Sequence, residues 1–572
     1  MKFALFLPLL VVSFETTQAD VASTAKKTYE IWAADQSSTV SNQTALGLRG
    51  GRLWIWTDDA IQKTISKKTV VPLPCKPKPG VGPCDWFDIF SGALIQQNST
   101  GPTGKTLQDL ENVGVWHGIV KDPSNKYVLA SLFAKGGGYV GIIDTRTRGA
   151  VALFRVTKYS YTEGLSTTSD RSVHMTFWSA DGLYCIVANL HGKAIERINI
   201  VRNLEGDITS ATFDKAASLG LGSGMSVVES ATYFTGTNAY GRPLIGGVTG
   251  NYDTNGLSDF TPSGKCKENG CALPPGVKGG EGGRTNNRPV CPVPSSQGNL
   301  LYITLSGGGL FIGNIITTPM SIVGEYGKNI IFGAGCGGVE VAGKFYINSG
   351  VASGPQGGSQ SYFAVWAFNN TEYLGTPTYE ENEPRPLMVY NDTQNTMETT
   401  VNPTGQLPSN STRRDSHGIV VTRNQKYVHT FDRIQAQAFV IDTSTNKGIF
   451  SYSMRDSNVC KAFSVTDDSN IPANDPSPDL VEASPDGKYL AIGFRGPAPV
   501  TFAHTTQGSC PGVGIVQLQE NGGKGKLVTV LRTTNLTPDN ITTPLMIPGG
   551  VNYAGTERSD IHMVAVIDHK LW

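Results

Sequence analysis

Short apolar runs separated by tight polar turns recur along this chain, and four stretches share one arrangement. His117-Gly118-Ile119-Val120 leads through Pro123-Ser124-Asn125-Lys126-Tyr127 into Val128-Leu129-Ala130. His174-Met175-Thr176-Phe177 leads through Ala180-Asp181-Gly182-Leu183-Tyr184 into Cys185-Ile186-Val187. His417-Gly418-Ile419-Val420 leads through Arg423-Asn424-Gln425-Lys426-Tyr427 into Val428, and Asp479-Leu480-Val481-Glu482 through Pro485-Asp486-Gly487-Lys488-Tyr489 into Leu490-Ala491-Ile492. Each reads as a strand, a hairpin turn and a second strand opening on an aromatic. A third strand follows, as in Tyr139–Asp144 and Phe439–Asp442. Strand triplets at intervals of roughly 45 to 80 residues predict an all-β propeller.

Two looser units, Cys291–Ile303 and Cys336–Ile347, bring the number of blades to six. The seventh is divided between the chain ends. His562–Asp568 is a first strand with nothing after it, whereas Thr28–Ala33 and Arg52–Trp56 are later strands with nothing before them. Pairing them closes a seven-bladed ring and removes both free sheet edges. Six or eight blades stay open, because 201–290 has no clean triplet and is expected to hold a long insertion around Cys266 and Cys271. No segment shows a helical period.

The repeat sets a register. His117, His174, His417 and Asp479 each lie nine positions before the residue that precedes the strand-opening Tyr. Cys291 obeys the same spacing if Leu300 takes the place of that preceding residue, Cys336 does so with one turn residue fewer, and His562 takes its place in the closing strand. All seven open innermost strands, so the predicted circle runs His562, His117, His174, Cys291, Cys336, His417, Asp479. Four of the eight histidines fall on it.

Charge changes the picture little: Lys+Arg and Asp+Glu balance at 47 each, which removes any argument for a nucleic-acid partner. The leader matters more. Lys2, the apolar run Phe3–Phe14 and Thr17-Gln18-Ala19 read as a secretory signal peptide over 1–19, too short to span a bilayer, with a single propeller domain over 20–572. A secreted, extracellular, soluble protein with no membrane partner is expected. N-linked glycans are expected at some of the seven sequons, Asn42, Asn98, Asn369, Asn391, Asn410, Asn535 and Asn540. Nine cysteines in an oxidising compartment suggest disulfides, with Cys75–Cys84 and Cys266–Cys271 as local pairs and Cys185 as the buried free thiol. Cys291 and Cys336, neighbours on the circle, suit either a disulfide or thiolate ligation.

Imidazoles converging on a channel can hold a transition metal, copper or iron ahead of zinc or manganese, and leave a coordination position open for chemistry. The expected ligands are His117, His174, His417 and His562. Asp415 or Asp560 is placed to accept an outer histidine N–H. Asp479, Arg433 and Arg495 are the candidate catalytic groups, the arginines as clamps for a substrate carboxylate at the channel mouth. A small molecule or carbohydrate is the expected ligand there.

Ser484-Pro485-Asp486-Gly487-Lys488-Tyr489 and Phe439-Val440-Ile441-Asp442-Thr443 resemble the YVTN and lactonase-like propeller superfamily, which implies a seven-bladed ring. A four-histidine axial site is similar in kind to those of carotenoid-cleaving oxygenases (iron) and selenium-binding-type methanethiol oxidases (copper). Three functions are compatible: a metal-dependent oxidoreductase, the leading expectation; a metal-dependent lyase or lactonase acting on sugar acids; and a non-catalytic extracellular binding or wall protein.

Overall fold

The structure, a computed structural model, describes residues 29–36, 51–73, 84–85, 89–90, 95–98, 101–106, 115–133, 138–160, 171–221, 225–252, 287–297, 299–306, 308–327, 330–331, 333, 335–350, 360–361, 363–374, 384, 386–392, 394–395, 414–455, 459–462, 476–496, 508–534, 557 and 559–571. The leader, Cys75, Cys266, Cys271 and the sequons at Asn42, Asn410, Asn535 and Asn540 lie outside them. The Asn369 and Asn391 side chains are exposed.

Seven antiparallel sheets are built on four-stranded meanders, and they are the seven blades. Their innermost strands are Val115–Lys121, Val173–Trp178, Pro289–Pro294, Gly338–Val341, Ser416–Val421, Pro478–Ala483 and Ile561–Asp568. The last of these pairs with Tyr29–Asp35, in register from Tyr29 opposite Asp568 to Asp35 opposite Ile561, and Arg52–Thr57 follows on the outside. The two chain ends therefore share one blade, and the ring has seven.

The hairpin turns explain why the repeat is visible. Five inner hairpins place one residue in the left-handed region, Asn125 (φ 61°), Gly182 (φ 70°), Asn299 (φ 60°), Gln425 (φ 61°) and Gly487 (φ 68°), and a sixth places two, Ala342 (φ 50°) and Gly343 (φ 79°). A side-chain oxygen five residues before the strand-opening Tyr accepts that residue's N–H. The bonds are Asp122 to Tyr127 (2.9 Å), Ser179 to Tyr184 (2.9 Å), Thr422 to Tyr427 (3.1 Å) and Ser484 to Tyr489 (2.9 Å). The polar cluster before each Tyr is thus a turn cap.

Part of 201–290 belongs to the blades. Ile208–Gly220 is the fourth strand of the second blade, and Gly247–Thr249 adds to it in parallel. Thr232–Thr235 extends the first blade between Gly149–Arg155 and Ile95–Asn98. The expectation of no helix fails at Asp59–Ile65, which buries Ala60 and Ile61 and sets Lys63 one turn from Asp59 at 2.5 Å. No helix among the described residues is long and apolar enough to cross a membrane.

Cys185 is buried and free, Cys460 pairs with Cys510, and Cys84 is disulfide-bonded to a residue outside the described ones. Glu196, on the third strand of the second blade, is buried. It accepts hydrogen bonds from Tyr159 Oη (3.0 Å) and Asn189 Nδ2 (3.3 Å), and burial pushes its carboxyl up to about 7.

Two outcomes follow. Ile567 is fully buried in the closing strand, so Ile567→Ala should cost about 2–5 kcal/mol in denaturant unfolding, without changing the fold of the remaining blades. The second concerns pH. Folded Glu196 binds its proton more tightly than the unfolded chain, so its contribution is favourable below the usual Glu range and is lost as pH rises to about 7. Glu196→Gln should flatten that fall, on the order of 3 kcal/mol, in unfolding curves taken across pH 4 to 8. An unchanged pH slope would contradict it.

Candidate metal centre on the propeller axis

The ring positions meet on the axis because the inner strands bulge there. Between Trp116 and Gly118 the register shifts so that His117 has no ladder partner. The same shift falls between Val173 and Thr176, Pro289 and Pro292, Ser416 and Ile419, and Pro478 and Val481, and opposite Ala34–Asp35 at His562. His117, His174, Cys291, His417, Asp479 and His562 all sit in these bulges. An extra residue on one strand turns its side chain out of the pleat, here toward the axis. The glycines that follow make room. A Cβ on Gly418 would collide with the Asp479 carbonyl oxygen, and one on Gly118 with the Met175 thioether.

Six of the seven neighbouring pairs of the predicted circle are in contact. Ring centroids lie 4.2 Å apart for His562 and His117, 4.2 Å for His117 and His174, and 5.3 Å for His417 and His562. His174 Nδ1 is 4.0 Å from Cys291 Sγ, and Cys291 is disulfide-bonded to Cys336. His417 Nδ1 donates to Asp479 Oδ1 in a short bond, and Asp479 Oδ2 is 3.9 Å from His562 Nε2. All of these side chains are buried.

Hydrogen bonds set the tautomers. His417 gives its Nδ1 proton to Asp479, and His562 gives its own to the His117 carbonyl at 2.6 Å, which leaves both lone pairs on Nε2. Gln36 fixes His117 the other way. Arg495 can only donate, and it does so to Gln36 Oε1 at 3.3 Å, so the Gln36 amide nitrogen faces His117 Nδ1 at 2.5 Å. His117 then carries its proton on Nε2 and presents it to His174 Nε2 at 3.2 Å.

Burial first, then neighbouring positive groups, holds these imidazoles neutral. His174 is lowered to about 3, and His417 and His562 are lowered too. Burial alone would raise Asp479, but His417, Arg433 and His562 outweigh it and hold the carboxyl well below its usual range.

Behind the ring lies a chain of buried ion pairs. Asp415 binds Arg433 at 2.6 Å. Arg433 lies 3.5 Å from Asp479, and Asp479 binds Arg495 at 3.0 Å. Arg495 grips Asp560 through Nε at 2.6 Å and through its second terminal nitrogen at 2.7 Å. Three carboxylates face two guanidiniums, leaving one negative charge in excess beside neutral imidazoles. A buried site of that sign, lined with nitrogen lone pairs, fits a cation. One ligand atom each from His417, Asp479 and His562 lie within 4.8 Å of one another.

The structure thus brings together all four predicted histidines, with Asp479, Arg433 and Arg495. The arginines are occupied by Asp415, Asp479 and Asp560, so they stand as supports of the ring and are not presented to a substrate carboxylate. Asp479, and neither Asp415 nor Asp560, takes an outer histidine N–H. Of the other histidines, His429 is a strand residue bonded to Tyr452 (3.1 Å) and the Gly522 carbonyl (2.7 Å).

Gln36 was not anticipated, yet a signal existed. It follows a second strand, as Arg433 and Arg495 do. All three backbone N–H groups donate to the carbonyl two residues before a ring position: Gln36 to Asp560 (2.8 Å), Arg433 to Asp415 (2.9 Å) and Arg495 to Ser477 (2.9 Å).

On the hairpin side of the ring the axis holds a cavity of about 530 Å³. Val120, Phe177, Ile419, Leu480 and Met563 line it, Cys336 borders it, and Lys121, Arg423 and Glu482 add charged groups. Lys121 bridges Glu482 and the Val566 carbonyl, at 2.7 Å each.

No protein-family profile and no curated protein matches this chain. Among solved structures it is similar to a periplasmic gluconolactonase of Pseudomonas aeruginosa, at 10% identity and a TM-score of 0.43, over 94% of this chain and 99% of that one. It is also similar to a protein from Lactobacillus plantarum, at 9% identity and a TM-score of 0.41, over 94% and 99%.

Proposed function

We propose that this propeller is a metal-dependent hydrolase that opens a cyclic ester, with the lactone of a sugar acid as its substrate class. The observation that carries the reading is the His417–Asp479 pair. The buried carboxylate fixes the Nδ1 proton, so Nε2 offers its lone pair beside His562, within a ring of neutral imidazoles. A carboxylate-oriented imidazole of this kind serves as general base toward an attacking water.

His562 and His174, with Asp479, are the groups that would hold the metal, which leaves His417 Nε2 for the base role, and a divalent ion there would supply Lewis-acid polarisation of the ester carbonyl. His117 donates its Nε2 proton within the ring. Arg433 and Arg495 keep Asp479 ionised and fixed, so the dyad keeps one geometry. The polar groups that line the axial cavity suit a hydroxylated ligand. The disulfides Cys291–Cys336 and Cys460–Cys510 support placing this activity outside the cytosol.

A copper- or iron-dependent oxidoreductase is the second reading. The apolar side chains that line the cavity favour it, since a small apolar reactant would lie against Val120, Phe177, Ile419, Leu480 and Met563.

Metal analysis of the purified full-length chain, combined with lactone-hydrolysis assays before and after chelation, tests both. The first reading expects about one bound ion, hydrolysis that chelation abolishes, and a kcat reduced roughly 10²–10⁴-fold in Asp479→Asn. Bound copper or iron without lactone turnover supports the second reading instead. Absence of both metal and turnover removes the two together and leaves a binding protein.

A further inference from the structure

One ring feature is unused by the proposed reaction: the Cys291–Cys336 disulfide, which joins two adjacent blades at the level of the histidines. Its neighbour is His174, whose Nδ1 lies 4.0 Å from Cys291 Sγ. One ligand atom each from His174, Cys291 and Cys336 lie within 4.8 Å of one another, and all three side chains are buried. We propose that these two sulfurs are a redox-controlled metal site: reduction of the disulfide yields a Cys₂His set, with His174, that takes a thiophilic ion such as zinc, cobalt(II) or copper(I).

The positions suit this chemistry. Cys291 sits in its strand's bulge, and Cys336 lies just before the inner strand Gly338–Val341, so neither is tied to the ladder that fixes its blade. Two thiolates and one imidazole are three of the four ligands of a tetrahedral sulfur–nitrogen site, with one position left for water. Access exists as well, because Cys336 borders the axial cavity, which a small dithiol can enter.

The step balances. A dithiol passes two electrons and two protons to the disulfide and leaves as its own cyclic disulfide, giving two cysteine thiols. A divalent ion then displaces both thiol protons. The same sulfurs cannot be disulfide and ligand together, so the surrounding thiol poise selects the state. The site shares His174 with the centre proposed above but does not depend on that centre being loaded.

The test uses the full-length chain, oxidised or reduced with dithiothreitol under anaerobic conditions, titrated with cobalt(II). Reduced protein should bind about one further equivalent and gain a thiolate-to-cobalt charge-transfer band that oxidised protein lacks. Alkylation mapping should show Cys291 and Cys336 protected by the metal, and a Cys291→Ser/Cys336→Ser variant should lose both signals. The comparison of oxidised with reduced wild type stands even if the variant does not fold. A disulfide that resists reduction, a band that persists in the variant, or cysteines alkylated equally with and without cobalt would overturn the proposal. Cobalt bound only after reduction would leave this site standing while removing the histidine centre.

Discussion

Seven inner strands cannot approach one axis and keep an unbroken pleat, because side chains from every blade would compete for the same narrow core. The chain answers with an extra residue in the inner strand of six blades, at the same level in each. The bulged residue leaves the ladder and faces the axis, and in two blades a glycine beside it, Gly118 or Gly418, lets the next strand pass. What occupies the bulge is therefore released from the hydrogen bonds that hold the blade. Chemistry and architecture are separated at that point, and the rest of the centre depends on the separation.

Concentrating polar groups there has an electrostatic consequence. Asp479, Arg495 and Asp560 are buried, and a charge stripped of water must be matched by partners. The matching partners come from both chain ends. Asp35 accepts from Trp54 Nε1 (3.0 Å), Ser559 Oγ (2.7 Å) and the Asp560 backbone N–H (2.9 Å), while Gln36 reaches His117 and Arg495. The blade that closes the ring thus also orients a histidine and anchors an arginine. Closure and site are one cooperative network: with the C-terminal strand undocked, Arg495 loses Asp560 and His117 loses the stacked ring of His562.

Much of this was legible in the chain. The ring of seven could be counted because four hairpins carry the same cap and left-handed residue, two more units repeat their strands, and the unpartnered strand at His562 required a partner at the other end. Three of the histidines and Asp479 fell on one circle because a fixed spacing from a capped turn is a fixed height along the axis, and His562 joined them by its place in the closing strand. The bulges could not be read, since an extra residue leaves no trace in an apolar run as short as His417–Val421. Without them the roles of Arg433 and Arg495 were misjudged: they have the chemistry of a carboxylate clamp, but the carboxylates they hold are Asp415, Asp479 and Asp560 of their own chain. Gln36 was overlooked for a related reason. Its equivalence to those arginines is a matter of backbone position, not residue type.

That equivalence says something about how such a centre is built. Blades contribute up to two addresses at this level, the bulge of the first strand and the residue after the second. The first address holds His117, His174, Cys291, His417, Asp479 and His562, and the second holds Gln36, Arg433 and Arg495. Residues at the first address sit outside the ladders, so exchanging them alters charge and coordination on the axis while the blades keep their hydrogen bonds. The neighbouring glycines have no such freedom, because a Cβ at Gly418 meets the Asp479 backbone of the next blade. The exchangeable positions set the polar groups on the axis, and the glycines beside two of them, Gly118 and Gly418, set how closely the strands pass.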